Sequence, residues 1–574
     1  MLVCTNFLYN LNLFLGKSWL VKTDTNIIKA LAKHIYNEPG KSVCLTAPTG
    51  VAASLIDGET LHRVCEPPRT SKKKANLPSE NNVSLSSVAR FRPLLGLIMD
   101  ESSMVPRSLF AWLDIRAHAS RTINEDLDPH ALLQANRNQP RDPLVELKLW
   151  EKIDITNKIK GHEQALGGIP FVTLVMDQLQ LPPVADKKIT DTSFLVNKDT
   201  AISSRAIAAF KIFRNCCQTY VFDIVVRQDR ESTWAKFLEE LRSGKLVMEH
   251  LVYMRTRLLS NLSIDDQACF KRDALYLFPT WKEGQAITRE YFDTLKTDDG
   301  QFQPIAKCTA QCKRNGQLGV NGKKNHALDK KQCNFPLVTY LARDMKVMLL
   351  HNVSVPEKLY NGAFGIIKDI VYDYDMQPNY IPNYETELPK YVLVEFPGSK
   401  ITNPVDPTQP LLVPIYPVIQ YCENRCCEKT QIPLLVGKAI TVHKAQGMSI
   451  GLAHFFTKMV FTFGPNHSKT PGLVMVALTR AVAETDIAFG DSPSLQEVQN
   501  IGHSPTIDAS RKYIESLTQQ KNETIQLIEK QVKRLSATQE FDDGYRILCE
   551  WYDEMRLNDS TVPMREVNLN FLTN

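Results

Sequence analysis

The sequence predicts an α/β fold with buried parallel sheets, because several short apolar runs end directly in polar side chains. Leu94 to Met99 is followed by Asp100-Glu101, and Val172 leads through an apolar run to Asp177 and Gln180. Strands that are covered on both faces are continuously apolar, and such sheets bind ligands beyond the carboxyl ends of their strands. Two further runs follow this pattern, and they lead to the segments His443-Lys444-Ala445-Gln446-Gly447 and Thr479-Arg480.

Length and composition set broad limits on the protein. The chain has 574 residues, of which 43% are hydrophobic, so it is long enough for about three or four domains with apolar cores. The formal net charge of +5 permits a nucleic-acid partner without requiring one. Thirteen scattered cysteines fit a reducing compartment better than a disulfide framework. No run of about 18 apolar residues occurs, so we expect no membrane partner.

The first motif along the chain is incomplete. A phosphate loop has the pattern G-x-x-x-x-G-K-[ST], and Gly16-Lys17-Ser18 matches its end. The first glycine position is Leu11, and Leu13 to Leu15 stand where small residues are expected. We therefore expect leucines inside the loop, weak ATP binding and little hydrolysis. Either the N-terminus is truncated or misassembled, or the chain has a genuinely impaired nucleotide site.

Taken together, the motifs resemble those of one known family. The segments that carry the likeness, in chain order, are LIMDESSM (97–104), VTLVMDQLQLPPV (172–184), VHKAQGMS (442–449) and VALTRA (476–481). They resemble the Pif-one (petite integration frequency) family of ATP-dependent DNA helicases, in the 5′-to-3′ branch of superfamily one. The resemblance spans roughly residues 16 to 500. It departs from the family at Met176, where a glycine is usual.

The resemblance implies a role for each matching residue. Glu101 would polarise the attacking water, Gln180 would sense the γ-phosphate, and Arg227 and Arg480 would stabilise charge on the transferred phosphoryl group. The positions implied to bind ATP are Gly16, Lys17, Ser18, Asp100, Asp177, Gln446 and Gly447, with Ser18 and Asp100 holding Mg²⁺. The positions implied to contact DNA are Pro48, Thr49, His62, His443 and Lys444.

The resemblance also implies the architecture: two RecA-like P-loop motor domains, a small β-barrel inserted in the second, and a helical C-terminal tail. The expected first motor domain is 1–220, with a polar insertion at about 117–165. The second is expected at 221–297 and 434–500, the barrel at 298–433 and the tail at 501–574. ATP and Mg²⁺ would be the cofactors, single-stranded and duplex DNA the partners, a monomer the working form, and the nucleus or mitochondrion the compartment.

Two alternatives to an active cellular helicase remain open from the residues. A chain with an impaired phosphate loop fits a pseudo-helicase that binds single-stranded DNA without hydrolysing ATP. A similar motor also occurs as the helicase part of a rolling-circle transposon. A complete phosphate loop encoded upstream would favour the enzyme, whereas an upstream nuclease domain would favour the transposon.

Overall fold

The architecture is taken from a computed structural model of the chain. With short gaps inside these ranges, the structure describes residues 11–15, 43–67, 85–122, 165–190, 217–221, 227–318, 335–372, 388–421, 427–464 and 470–516, and also residue 526. Gly16, Lys17 and Ser18 lie outside the described residues, as does 123–164, which holds most of the expected polar insertion. Residues 117–122, where that expected insertion starts, form the end of a helix.

A six-stranded parallel sheet forms the first lobe, in the order β3-β2-β4-β5-β1-β6. Its strands are β1 (Leu11–Leu15), β2 (Val43–Ala47), β3 (Glu59–Thr60), β4 (Gly96–Met99), β5 (Phe171–Val175) and β6 (Cys217–Val221). The helices in this part of the chain are α1 (Gly50–Leu55), α2 (Leu61–Cys65), α3 (Leu85–Phe91) and α4 (Arg107–Thr122). All four residues of β4 are buried, which explains their continuous apolar run.

A second parallel sheet of four strands forms the second lobe, in the order β19-β7-β20-β21. Its strands are β7 (Leu275–Phe278), β19 (Ala439–Thr441), β20 (Met459–Phe461) and β21 (Ile487–Phe489). The helices of this lobe are α5 (Thr233–Ser243), α6 (Met248–Thr256), α7 (Ile264–Asp273), α8 (Gln285–Phe292), α9 (Val442–Ala445), α10 (Leu473–Leu478) and α11 (Leu495–Ile501). All six side chains of α10 are buried, so the helix lies inside the core of the lobe.

Short antiparallel strands occupy the chain between β7 and β19. They are β8 (Ala306–Thr309), β9 (Gln311–Arg314), β10 (Gln317–Leu318), β11 (Val338–Leu341), β12 (Lys346–Leu349), β13 (Phe364–Val371), β14 (Tyr391–Glu395), β15 (Leu412–Ile415), β16 (Val418–Tyr421), β17 (Cys427–Gln431) and β18 (Leu434–Val436). They form sheets of five, four and two strands. Because β18 pairs with β12, residues 434–436 belong to the five-stranded antiparallel sheet.

The described C-terminal part ends in a helix over 505–516, which we label α12. Two of its side chains, Tyr513 and Ile514, pack against the hydrophobic core of the first lobe. None of the described helices combines the length and the apolar character needed to cross a bilayer.

Candidate nucleotide and DNA site

Two carboxylates follow the buried strand β4 of the first lobe. The backbone N–H of Asp100 donates to the carbonyl of Thr46 on β2 at 2.9 Å, which fixes Asp100 at the sheet edge. The backbone N–H of Glu101 donates to Asp100 Oδ1 at 2.9 Å. Glu101 itself has φ of 50° and ψ of 37°, a left-handed conformation that costs free energy for a side chain of this kind. Backbone strain of this sort occurs often at functional sites, where it fixes the direction of a side chain.

Burial makes both carboxylates poor acids. The pKa of Asp100 is raised to about 7, first by burial and then by the neighbouring Glu101, while the hydrogen bond from the Glu101 N–H opposes the shift. Burial also raises the pKa of Glu101, and the positive charges of Arg480 and Arg227 act in the opposite direction. A cation beside Asp100 would favour its ionised form. This edge of the first lobe therefore favours the binding of a positively charged partner.

The second polar group of the first lobe follows β5. Asp177 accepts hydrogen bonds from the Leu179 N–H at 3.1 Å and from Gln180 Nε2 at 3.4 Å. It also forms a two-pronged ion pair with Arg242 of α5. Burial alone would raise the pKa of Asp177, but the charge and hydrogen bonds of Arg242 bring it below its ordinary value. Asp177 is therefore an anion that already has a partner.

The second lobe supplies arginines to the opposite side of the cleft. Arg480 is only 2% exposed, and its hydrogen bonds to the described residues hold it within its own lobe. Its Nε donates to the carbonyl of Val476 at 2.9 Å and its Nη1 to the carbonyl of Met448 at 3.1 Å. Its pKa is lowered to about 9, first by burial and then by the neighbouring Arg227, while the charges of Glu101 and Asp177 act in the opposite direction. Its positive charge thus interacts with the acids of the other lobe.

Arg227 and Gln228 support the segment that carries Arg480. Arg227 Nη1 donates to the carbonyl of Thr479 at 2.9 Å, and Gln228 Nε2 donates to the carbonyl of Ala481 at 2.9 Å. The indole N–H of Trp234 donates to the same Ala481 carbonyl at 3.3 Å. The main chain on both sides of Arg480 is therefore held by buried side chains. Gln228 and Trp234 have this role without having been predicted for it.

Gln446 of the second lobe connects the two sides. Its Nε2 donates to Gln180 Oε1 at 2.9 Å and to Glu101 Oε2 at 3.3 Å. Gln446 is 4% exposed, and its Oε1 is buried without a hydrogen-bond partner among the described residues. A buried acceptor of this kind is costly unless a donor reaches it. The structure thus brings Glu101, Gln180 and Gln446 together at one point between the lobes.

The expectation that leucines fill the phosphate loop is wrong. Leu11–Leu15 is strand β1, which lies between β5 and the edge strand β6 of the first sheet. The strand runs parallel to β5, so its carboxyl end lies at the same edge as Asp177. The sequence then continues at once with Gly16, Lys17 and Ser18, without the four residues that separate the two glycines of a full loop.

The predicted DNA-contacting residues lie on loops and short helices at the junction of the lobes. Thr49 caps α1, since its hydroxyl accepts the Ala52 N–H at 3.2 Å, and Pro48 precedes it. A Cβ on Gly447 would lie 3.3 Å from Val51 of α1, so the segment after α9 packs closely on α1. His443 and Lys444 are on α9, and burial lowers the pKa of each. His62 lies on α2, and burial lowers its pKa too.

The chain is similar in sequence to proteins that are named as DNA helicases. It is 23% identical over 528 residues to the ATP-dependent DNA helicase RRM3 of Saccharomyces cerevisiae, covering 83% of this chain and 61% of that protein. It is 24% identical over 477 residues to the ATP-dependent DNA helicase PIF1 of Xenopus laevis, covering 81% of this chain and 56% of that protein. These similarities support the resemblance to the Pif1 family. No family model matches it.

Solved structures of Pif1 proteins share the fold. The Pif1 helicase of Candida albicans superposes with a TM-score of 0.58 at 20% identity, covering 90% of this chain and all of that one. The Bacteroides Pif1 helicase, solved with ADP-AlF3 and single-stranded DNA, superposes with a TM-score of 0.55 at 19% identity, covering 88% and 94%. These matches support a two-domain RecA-like arrangement for the two parallel sheets. The chain spans about 60% of the curated relatives just named.

Proposed function

We propose that this chain is the motor of an ATP-dependent DNA helicase that moves 5′ to 3′ on single-stranded DNA and unwinds duplex. ATP would lie between the two lobes, and a DNA strand would cross both. The direction follows from family membership rather than from a particular side chain. DNA repair, recombination or genome maintenance in the nucleus or mitochondrion are the settings that we propose on the same basis.

One observation carries the proposal above all others. Gln446 of the second lobe donates to both Glu101 and Gln180 of the first lobe, at 3.3 and 2.9 Å. A nucleotide between the lobes would contact the same three side chains, so its arrival and its hydrolysis would alter the contact between the lobes. Hydrolysis can then be coupled to movement, because binding energy that differs between two conformations shifts their populations.

The residues fit the chemistry of phosphoryl transfer. Glu101 is placed to orient and polarise a water, and Gln180 and the unpartnered Gln446 Oε1 lie close enough to help hold it. Arg227 and Arg480 would face the transferred phosphoryl group, where a guanidinium can pair with two oxygens at once. The main-chain contacts around Thr479 and Ala481 keep the Arg480 segment in place for this step.

A magnesium ion fits the acidic edge of this site. Mg²⁺ binds through one or two carboxylates, keeps several waters and takes its remaining ligands from substrate phosphates. Asp100 is suited to that role because its carboxyl group follows directly after β4; burial raises its pKa to about 7, and a bound cation would favour its ionised form. Ser18 would complete the site, as its place in the phosphate-loop motif implies. When bound, the ion would neutralise charge on the phosphates.

We further propose that the shortened phosphate loop weakens nucleotide binding without removing the catalytic groups. Successive backbone N–H groups of a full loop surround the phosphates, and five residues of that loop, the first glycine and the four that follow it, are missing between β1 and Gly16. Lys17 and Ser18 remain. We therefore expect weak ATP binding, but substantial ATP hydrolysis once the ATP concentration is high.

A strand-displacement assay tests the function. The chain would be mixed with duplexes that carry a single-stranded extension at either the 5′ or the 3′ end, with Mg²⁺ and several millimolar ATP. We expect release of the displaced strand from the 5′-extended substrate alone, and none with Glu101→Gln. Single-stranded DNA binding without displacement or hydrolysis at any ATP concentration would instead identify a pseudo-helicase.

A further inference from the structure

An ion pair between the lobes joins Asp177, which lies in a predicted motif, to Arg242, which lies in none. Arg242, near the end of α5 in the second lobe, donates from Nη1 to Asp177 Oδ2 at 2.9 Å and from Nη2 to Asp177 Oδ1 at 3.1 Å. This fork-to-carboxylate geometry fixes the orientation of both groups, which a lysine cannot do with its single ammonium. The pair joins α5 to the polar segment that follows β5.

Asp177 connects Arg242 to the side chains of the proposed ATP site. The oxygen that accepts from Arg242 Nη1, Oδ2, also accepts from Gln180 Nε2 at 3.4 Å. Gln180 Oε1 in turn accepts from Gln446 Nε2, which also donates to Glu101. An unbroken series of hydrogen bonds therefore leads from Arg242 to Glu101, and it fixes which end of the Gln180 amide faces which neighbour.

The C-terminal helix holds the Arg242 end of this series. Arg511 Nε on α12 donates to the backbone carbonyl of Arg242 at 3.1 Å, and His503 Nε2 lies 2.6 Å from the carbonyl of Gly244. On the same helix, Tyr513 and Ile514 pack on the core of the first lobe. Helix α12 thus contacts both lobes beside the ion pair.

The pair contributes little to folding stability. The Arg242 side chain is 44% exposed and that of Asp177 is 22% exposed. Ion pairs exposed to this degree typically contribute about 0 to 1 kcal/mol, because water screens them. If removing the Arg242 side chain strongly lowers turnover but leaves folding stability nearly unchanged, Arg242 therefore acts in the site.

We propose that Arg242 is a positioning residue for ATP hydrolysis, which acts through Asp177 to hold Gln180 in the orientation that senses the terminal phosphate. This inference rests on the proposed function. Arg242, on a helix of the second lobe, would then take part in a step that the motifs assign to side chains of the first lobe. It also explains why α12 is anchored at the end of α5, since that anchor fixes the Arg242 backbone.

Steady-state ATP hydrolysis with saturating single-stranded DNA tests this role. Arg242→Ala should lower kcat by about tenfold to a hundredfold, the loss that follows when a reacting group shifts by about 1 Å. KM for ATP, single-stranded DNA affinity and the melting temperature should change little. Arg242→Lys should recover only part of kcat. Lys236→Ala, on the exposed side of the same helix, is the matched control and should behave like the natural chain.

A double variant shows whether the effect passes through Asp177. Asp177→Asn alone should lower kcat, and adding Arg242→Ala to it should cause little further loss, because both changes break one series of contacts. Independent, multiplying losses would overturn the proposal, and so would an Arg242→Ala variant with natural kcat. If the natural chain hydrolyses no ATP, both the proposed function and this role fail. If it hydrolyses ATP but Arg242→Ala has no effect, only this role fails.

Discussion

The two sides of the cleft hold their charged groups in different ways. In the first lobe, Asp100 and Glu101 are buried carboxylates whose pKa values burial raises. In the second lobe, Arg227 and Arg480 donate to main-chain carbonyls of their own lobe. The acids therefore need a partner from outside their lobe, whereas the arginines are already fixed. A site with this division can respond to the distance between the lobes, since the acids gain their partners only when the lobes and a ligand meet.

The largest expected effect comes from the arginine side. Arg480→Ala should lower kcat by about a thousandfold, because an arginine at the transferred phosphoryl group acts mainly in the transition state. KM for ATP should change little. Arg480→Lys, which keeps the charge but loses the fork, should remain strongly impaired. Equal losses in nucleotide affinity and turnover would contradict the role. Thermal melting would show whether loss of the contact with Met448 has destabilised this segment.

The acid side should give the next largest effect. Glu101→Gln keeps the size of the side chain but removes its capacity to accept a proton, so hydrolysis should fall by about a hundredfold or more. Single-stranded DNA affinity should stay within twofold of the natural chain. Glu59→Gln, the same change on strand β3 away from the cleft, serves as the control. If the Glu101→Gln variant hydrolysed ATP as fast as the natural chain, Glu101 would have no role in hydrolysis.

The raised pKa of Asp100 predicts a pH dependence for magnesium. Its value of about 7 means that the carboxyl is largely protonated below neutral pH and ionised above it. Mg²⁺ binding needs the ionised form, so the Mg²⁺ concentration for half-maximal hydrolysis should fall as pH rises from 6 to 8, then level off. Asp100→Asn should remove this dependence along with most activity. A magnesium requirement that stays constant across this range would place the ion elsewhere.

The smallest expected effect concerns DNA. Lys444→Ala should weaken single-stranded DNA binding several-fold, and the slope of log affinity against log salt should fall by about 0.7, as expected for one lost phosphate contact. Fluorescence anisotropy of a labelled oligonucleotide across salt concentrations measures both values. Lys271→Ala, an exposed lysine of α7, is the control. An unchanged slope would mean that Lys444 does not contact the phosphates.

Much of the candidate site could be predicted from local sequence. Buried parallel strands are continuously apolar, so the ends of β4 and β5, with Asp100, Glu101, Asp177 and Gln180, stand out along the chain. The sequence does not predict strand β1, because the phosphate-loop pattern extends back over Leu11 to Leu15, although their apolar character equally favours a strand. Where a motif and a strand pattern overlap, the local sequence does not distinguish them.

Other parts could not be predicted, and the physical reason is distance along the chain. Arg242 lies 65 residues from Asp177, on an amphipathic helix where an arginine is unremarkable. Gln228 and Trp234 contact Ala481 across about 250 residues. Such contacts depend on tertiary packing, within the second lobe for Gln228 and Trp234 and between the lobes for Arg242. The docking of Tyr513 and Ile514 on the first lobe is hidden for the same reason, since any amphipathic helix offers a similar pattern.

The central claim is that one cleft between the lobes hydrolyses ATP with groups from both sides, despite a shortened phosphate loop. Its most direct test is the rate of ATP hydrolysis by the natural chain over a wide ATP range, with and without single-stranded DNA. We expect DNA-stimulated hydrolysis with KM above the usual upper end of about 1 mM, lost in Arg480→Ala. An absence of hydrolysis at every ATP concentration, or hydrolysis that persists in Arg480→Ala, would contradict the claim.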